Sequence, residues 1–125
     1  MRALRLSAFF FISLGVILSA QSARAVEREF RGAWVATVYN LDWPSKPGLP
    51  AATQKAQLRA LFDKAAALKL NAILLQVRPA SDALYESNKE PWSEFLSGKA
   101  GVSPGSDSLA FAVADPPARG LDRHA

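Results

Sequence analysis

The chain has 125 residues, half of them apolar, with 15 basic and 11 acidic side chains, a net charge of +4 and no cysteine. That composition suits a globular protein rather than a disordered one, and the missing thiol excludes both a disulfide framework and a lipoprotein anchor. Three of the basic residues, Arg2, Arg5 and Arg24, fall in the first 25 positions; without them 12 basic residues face 11 acidic ones, a net +1. No basic stripe remains to follow a phosphate backbone, so nucleic acid is not an expected partner.

Residues 1–25 read as a secretory signal peptide: Arg2 and Arg5, an apolar or small-residue run from Ala8 to Ala20, then Ala23-Arg24-Ala25 as the cleavage site. The run is shorter than the roughly 20 residues of a spanning helix. The expectation is therefore export to the periplasm or beyond, with no stable membrane span after cleavage. Residues 26–125 are then one small domain.

Gly32–Val38 predicts a first strand, with Trp34, Ala36 and Val38 on one face and Ala33, Val35 and Thr37 on the other. The alternation does not say which face is covered. Trp34, in mid-strand, is expected in the core. A proline-punctuated loop follows Asp42-Trp43-Pro44. From Thr53, a plausible cap, Leu58, Leu61, Phe62, Ala65 and Leu68 recur at helical spacing, giving an amphipathic helix through Leu70. Asn71 is expected to end it in the left-handed conformation. Ala72–Val77 is a short apolar run rich in Ile, Leu and Val and bounded by Asn71 and Pro79, the pattern of a buried parallel strand. Strand, helix and strand form a βαβ unit with a right-handed crossover.

Gln76 and Arg78 put two polar groups at the carboxyl end of that strand. In α/β folds that end is where ligands bind. The loop Ala80–Ser106 carries Asp82, Tyr85, Glu86, Glu90, Trp92, Glu94 and Phe95, and a loop of this length in a compact domain is usually functional or disordered. Its acidic and aromatic content favours function. Asp107 or Ser108 is a candidate cap for a second helix, Leu109–Arg119, which Pro116-Pro117 should break. Leu121–Ala125 predicts the entry to a third strand.

Taken together, Arg31-Gly-Ala-Trp-Val-Ala-Thr-Val38, Asp42-Trp-Pro44, Gln76-Val-Arg-Pro79, Asp82-Ala-Leu-Tyr85 and Glu90-Pro-Trp-Ser93 resemble, in order, the glycosyl-hydrolase-like family 10 proteins of the bacterial cell envelope. The resemblance implies an α/β fold, the N-terminal portion of a (β/α)8 TIM-type barrel, incomplete here. It implies a glycoside hydrolase acting on polysaccharide, with the glycan strands of peptidoglycan a leading substrate class. Two segments depart from the family pattern: Asp107-Ser-Leu109 stands where Asp-Pro-Leu is usual, and 115–125 differs from the usual third-strand motif. A barrel needs eight strands and about 200 residues or more, so the chain alone is expected to be marginally stable, aggregation-prone and inactive.

Arg78, Asp82, Tyr85, Trp92 and Trp43 are the expected substrate-binding residues. Arg78 suits a sugar hydroxyl or carboxylate, the plainer alternative being an ion pair. Asp82 and Tyr85 suit sugar hydroxyls, or else a turn and a packed ring. Trp43 and Trp92, in loops, suit stacking on pyranose rings. A glycosidase uses two carboxyl groups, about 5 Å apart if retaining and about 6.5–9.5 Å if inverting. Asp42, Asp82, Glu86, Glu90 and Glu94 are available, but the resemblance places the acid and base on later strands, so no catalytic carboxylate is nominated. His124, the only histidine, has no partner spacing for a metal, and no cofactor motif occurs. The alternatives are a non-catalytic glycan-binding protein and an inactive remnant.

Overall fold

The computed structural model describes residues 29–115 and 120–124; the expected signal peptide and the Pro116-Pro117 break lie outside them. Three parallel strands, β1 (Gly32–Val35), β2 (Ala72–Leu75) and β3 (Asp122–His124), form one sheet in the order β1-β2-β3. Helix α1 (Ala51–Ala67) connects β1 to β2. A four-residue helix, α2 (Glu94–Ser97), and helix α3 (Ser108–Ala114) lie between β2 and β3. The architecture is α/β. No helix among the described residues is long and apolar enough to cross a membrane.

The register settles which strand face is covered. Val35, Ile73 and Leu75 are buried in one cluster with Leu58, Phe62 and Ala65 of α1. Gly32, Trp34, Leu74 and His124 occupy the other face. Trp34 is 60% exposed there, against the expectation of a core position, because the helices pack on the opposite face. Phe30, also exposed, meets His124 edge-on at 6.2 Å between ring centroids. A Cβ added at Gly32 would lie 2.8 Å from the Phe30 ring, so glycine makes room for it over the strand.

The first two expected strands end early for identifiable reasons. Beyond Val35, the Ala36 N–H donates to Asp42 Oδ2 at 2.7 Å, and the Thr37 and Val38 N–H groups donate to the Gln76 side chain. Beyond Leu75, the Gln76 carbonyl accepts from the Thr37 hydroxyl and the Val77 carbonyl from Leu84 N–H. The strand ladder gives way to bonds with side chains and with a loop amide without leaving these groups unsatisfied.

Helix α1 begins two residues before Thr53, with Pro50 at the cap position and its carbonyl accepting from Thr53 and Gln54. It ends in a Schellman arrangement: Lys69 N–H donates to Ala66, Leu70 N–H to Ala65, and Lys69 takes a φ of 60°. Lys69 therefore fills the role expected of Asn71. Asn71 instead ties the chain ahead of β1, accepting from Arg31 N–H at 2.7 Å and donating to the Glu29 carbonyl. Leu68, expected on the apolar stripe, is exposed, since the helix has already stopped.

Asp107 caps α3 through Oδ1, which accepts from Ala110 N–H, and its Oδ2 accepts from Glu86 N–H. Arg59 reaches from α1 to Asp115 at 3.1 Å and lies over the Phe111 ring, joining α1 to α3.

Candidate functional site

The site lies where β1 and β2 end. The chain leaves β2 after Leu75, and Gln76 and Arg78 follow at its carboxyl end. There Trp34, Leu75, Gln76, Val77, Arg78, Tyr85 and Leu109 line an open cleft of about 430 Å³. That is the size range of small-molecule sites, which set a few polar groups among apolar and aromatic walls.

Arg78 is exposed and forms a bidentate pair with Glu90. Its Nε donates to Oε2 at 2.7 Å and its Nη2 to Oε1. The hydrogen bond to Glu90, and then the charge of Glu90, hold the guanidinium's pKa above its ordinary value; Tyr85 adds a smaller effect in the same direction. The fork geometry fixes the plane of the guanidinium, and one nitrogen, Nη1, is not used in that fork.

Glu90 is held in turn. The Ser87 hydroxyl oxygen accepts from the Lys89 and Glu90 N–H groups, forming a tight turn that presents the carboxylate. The Arg78–Glu90 pair spans twelve residues of loop, a separation for which no sequence spacing rule exists. In the sequence Glu90 is one of five interchangeable loop carboxylates.

Gln76 is the other polar group at the strand end. Its Oε1 accepts from Thr37 N–H at 2.9 Å and Val38 N–H at 3.1 Å. It clamps the end of β1 to β2 while forming part of the cleft wall.

The loop after Arg78 is ordered by its own bonds. Ala83 and Trp92 form a parallel bridge, with Ala83 N–H donating to the Pro91 carbonyl and Ser93 N–H to the Ala83 carbonyl. Asp82 is buried, and its Oδ1 accepts from Ala80 N–H at 3.0 Å, a turn-closing bond. Trp92 is half-buried against the core. Trp43 is 1% exposed, and its indole N–H donates to the Gln54 carbonyl. Its ring therefore offers no open face for stacking, because the loop containing Trp43 folds back onto α1.

Of the five residues expected to bind substrate, the structure brings Arg78 and Tyr85 together in the cleft lining; Asp82, Trp92 and Trp43 are outside it. Trp34 joins them, placed there by strand register rather than by any local signal. None of the residues lining the cleft is a carboxylate. Asp42 and Asp82 hold the Ala36 and Ala80 amides, and Glu90 holds Arg78. Among the described residues no group of three or more His, Asp or Glu is arranged to hold a metal ion.

The sequence model of the family described as glycosyl hydrolase-like 10 matches residues 29–125. Glycosyl hydrolase YngK of Bacillus subtilis (strain 168) is 42% identical over 116 residues, covering 93% of this chain and 22% of the relative. Glycosyl hydrolase DigH of Escherichia coli (strain K12) is 37% identical over 102 residues, 76% of this chain and 23% of the relative. The chain thus spans less than a quarter of the length of these relatives.

Proposed function

The chain belongs to the glycosyl hydrolase-like 10 family, and from that premise we propose that it supplies the first strands of an exported (β/α)8 barrel that cleaves a polysaccharide. The observation that carries this reading is the convergence of Arg78 and Tyr85 with Trp34 and Gln76 on one cleft at the carboxyl ends of parallel strands. Sequential parallel strands with helices on one face are how such a barrel begins, and its ligands sit at that end. The open face carrying Trp34 and Leu74 corresponds to the barrel interior.

In this reading Arg78 and Tyr85 contact sugar hydroxyls, with Glu90 fixing the guanidinium. Asp82, Trp92 and Trp43 act from behind by holding the loops that frame the cleft. The acid and base come from strands outside this chain, in keeping with a lining that has no carboxylate. The glycan strands of peptidoglycan are the substrate class, and the periplasm or cell exterior the place, given a leader that reads as a signal peptide.

The test is to incubate the full-length protein with purified glycan strands and measure new reducing ends. Arg78→Ala should lower turnover at least tenfold with only a modest fall in melting temperature, since the guanidinium is exposed while the partly covered Glu90 carboxylate loses its partner. An unchanged rate would count against the reading. Binding without new reducing ends would favour a non-catalytic glycan-binding protein, the alternative that the carboxylate-free lining supports.

A further inference from the structure

Directly after Val38, residues Tyr39 and Asn40 adopt left-handed backbone conformations in succession, with φ of 53° and 55°. An aromatic residue pays a steric cost there that glycine does not, and two adjacent non-glycine residues compound it. The surroundings hold the conformation firmly. Asn40 N–H donates to the Thr37 carbonyl, and its side-chain Nδ2 donates to the carbonyls of Pro44 at 3.0 Å and Phe95 at 2.8 Å. Leu41 and Asp42 N–H groups close the same turn onto Val38 and Ala36.

All this bonding leaves Tyr39 79% exposed, with its ring edge-on to the buried Phe95 at 5.7 Å between ring centroids. Phe95 anchors the ring without covering it, so core packing does not account for the strain. Strain kept in place by surrounding bonds is a mark of functional positions. The location is also informative. Val38, the residue before Tyr39, donates its N–H to Gln76, which lines the cleft.

We infer that Tyr39 is a sugar-stacking platform at the mouth of the cleft, held out by a strained turn to receive a pyranose ring of a glycan extending from it. A phenol suits this role, with an aromatic face for the apolar side of the sugar and a hydroxyl for its polar rim. The inference rests on the glycan reading above and adds a subsite to it. It also implies that the turn is less stable with tyrosine than with glycine.

The experiment uses the full-length protein and chitohexaose, a neutral β-1,4-linked pyranose oligomer, with affinity measured by calorimetry and stability by thermal melting. Tyr39→Gly should weaken binding five- to twentyfold while raising the melting temperature, and Tyr39→Phe should keep binding within about threefold. Equal binding by Tyr39→Gly and wild type, alongside a loss in Arg78→Ala, would overturn the platform and leave the cleft reading standing. A lowered melting temperature in Tyr39→Gly would make the ring structural and also overturn it. No binding by wild type would end both.

Discussion

Replacing Gln76 with leucine tests how the end of β1 is held, because one side-chain oxygen serves two backbone donors. Thr37 is fully buried, and its N–H has Gln76 Oε1 as acceptor; Val38 is half-buried and shares that oxygen. A buried N–H stripped of its acceptor costs roughly 1–3 kcal/mol. Thr37 belongs near the middle of that range or above it, and Val38, within reach of water, near its low end. The extra apolar surface of leucine offsets some of this, so Gln76→Leu should cost about 2–3 kcal/mol, a large share of a domain's net stability. In urea, with a slope of about 1 kcal/mol/M for a small domain, the midpoint should fall by roughly 2–3 M. Amide hydrogen exchange gives a local check, since protection at Thr37 and Val38 should drop by roughly 30- to 150-fold where opening governs exchange. Gln76→Glu keeps an acceptor in place and should recover most of the midpoint. If Gln76→Leu shifted the midpoint by less than about 0.3 M with both amides still protected, the clamp would be refuted.

Two further outcomes follow from the same geometry. Asp107→Ala removes both the α3 cap and the acceptor for Glu86 N–H, which should cost about 1–2 kcal/mol in thermal melts, with Asp107→Asn recovering part of it. The raised pKa of Arg78 places the stabilising effect of its charge below the unfolded-state value, with loss only as strong alkali passes the folded one. The melting difference between wild type and Arg78→Ala should therefore be flat between about pH 6 and 9, and a slope there would mean that a different group titrates against Arg78.

Helix α1 and strand β2 were legible in the sequence because their signals are local. Leu58, Phe62 and Ala65 recur at helical spacing, and the apolar run from Ala72 stands between Asn71 and Pro79. The α3 cap was legible to within one residue for the same reason, as Asp107 or Ser108 just before an apolar helix, and the structure selects Asp107. The ends of β1 and β2 were not. Val77 and Val38 have strand-like side chains, but their backbones are taken up by Leu84 and by Gln76, partners remote in sequence. No local pattern singles out Tyr39, although the following Asn40, a residue that tolerates left-handed backbone, is a usable hint.

Residue order alone determined that this protein alternates strand and helix, that its strands run parallel, and that a polar strand end opens into an acidic, aromatic loop. These follow from periodicity and chain direction, which need no partner. Only the tertiary structure decided which face of β1 meets α1, sending Trp34 to the cleft, and which of two loop tryptophans is buried, sending Trp43 to the core. It alone chose Glu90 from five loop carboxylates as the partner of Arg78. The physical reason is common to all three: a side chain's chemistry is local, but its burial and its bonding partner depend on elements brought against it from elsewhere in the chain.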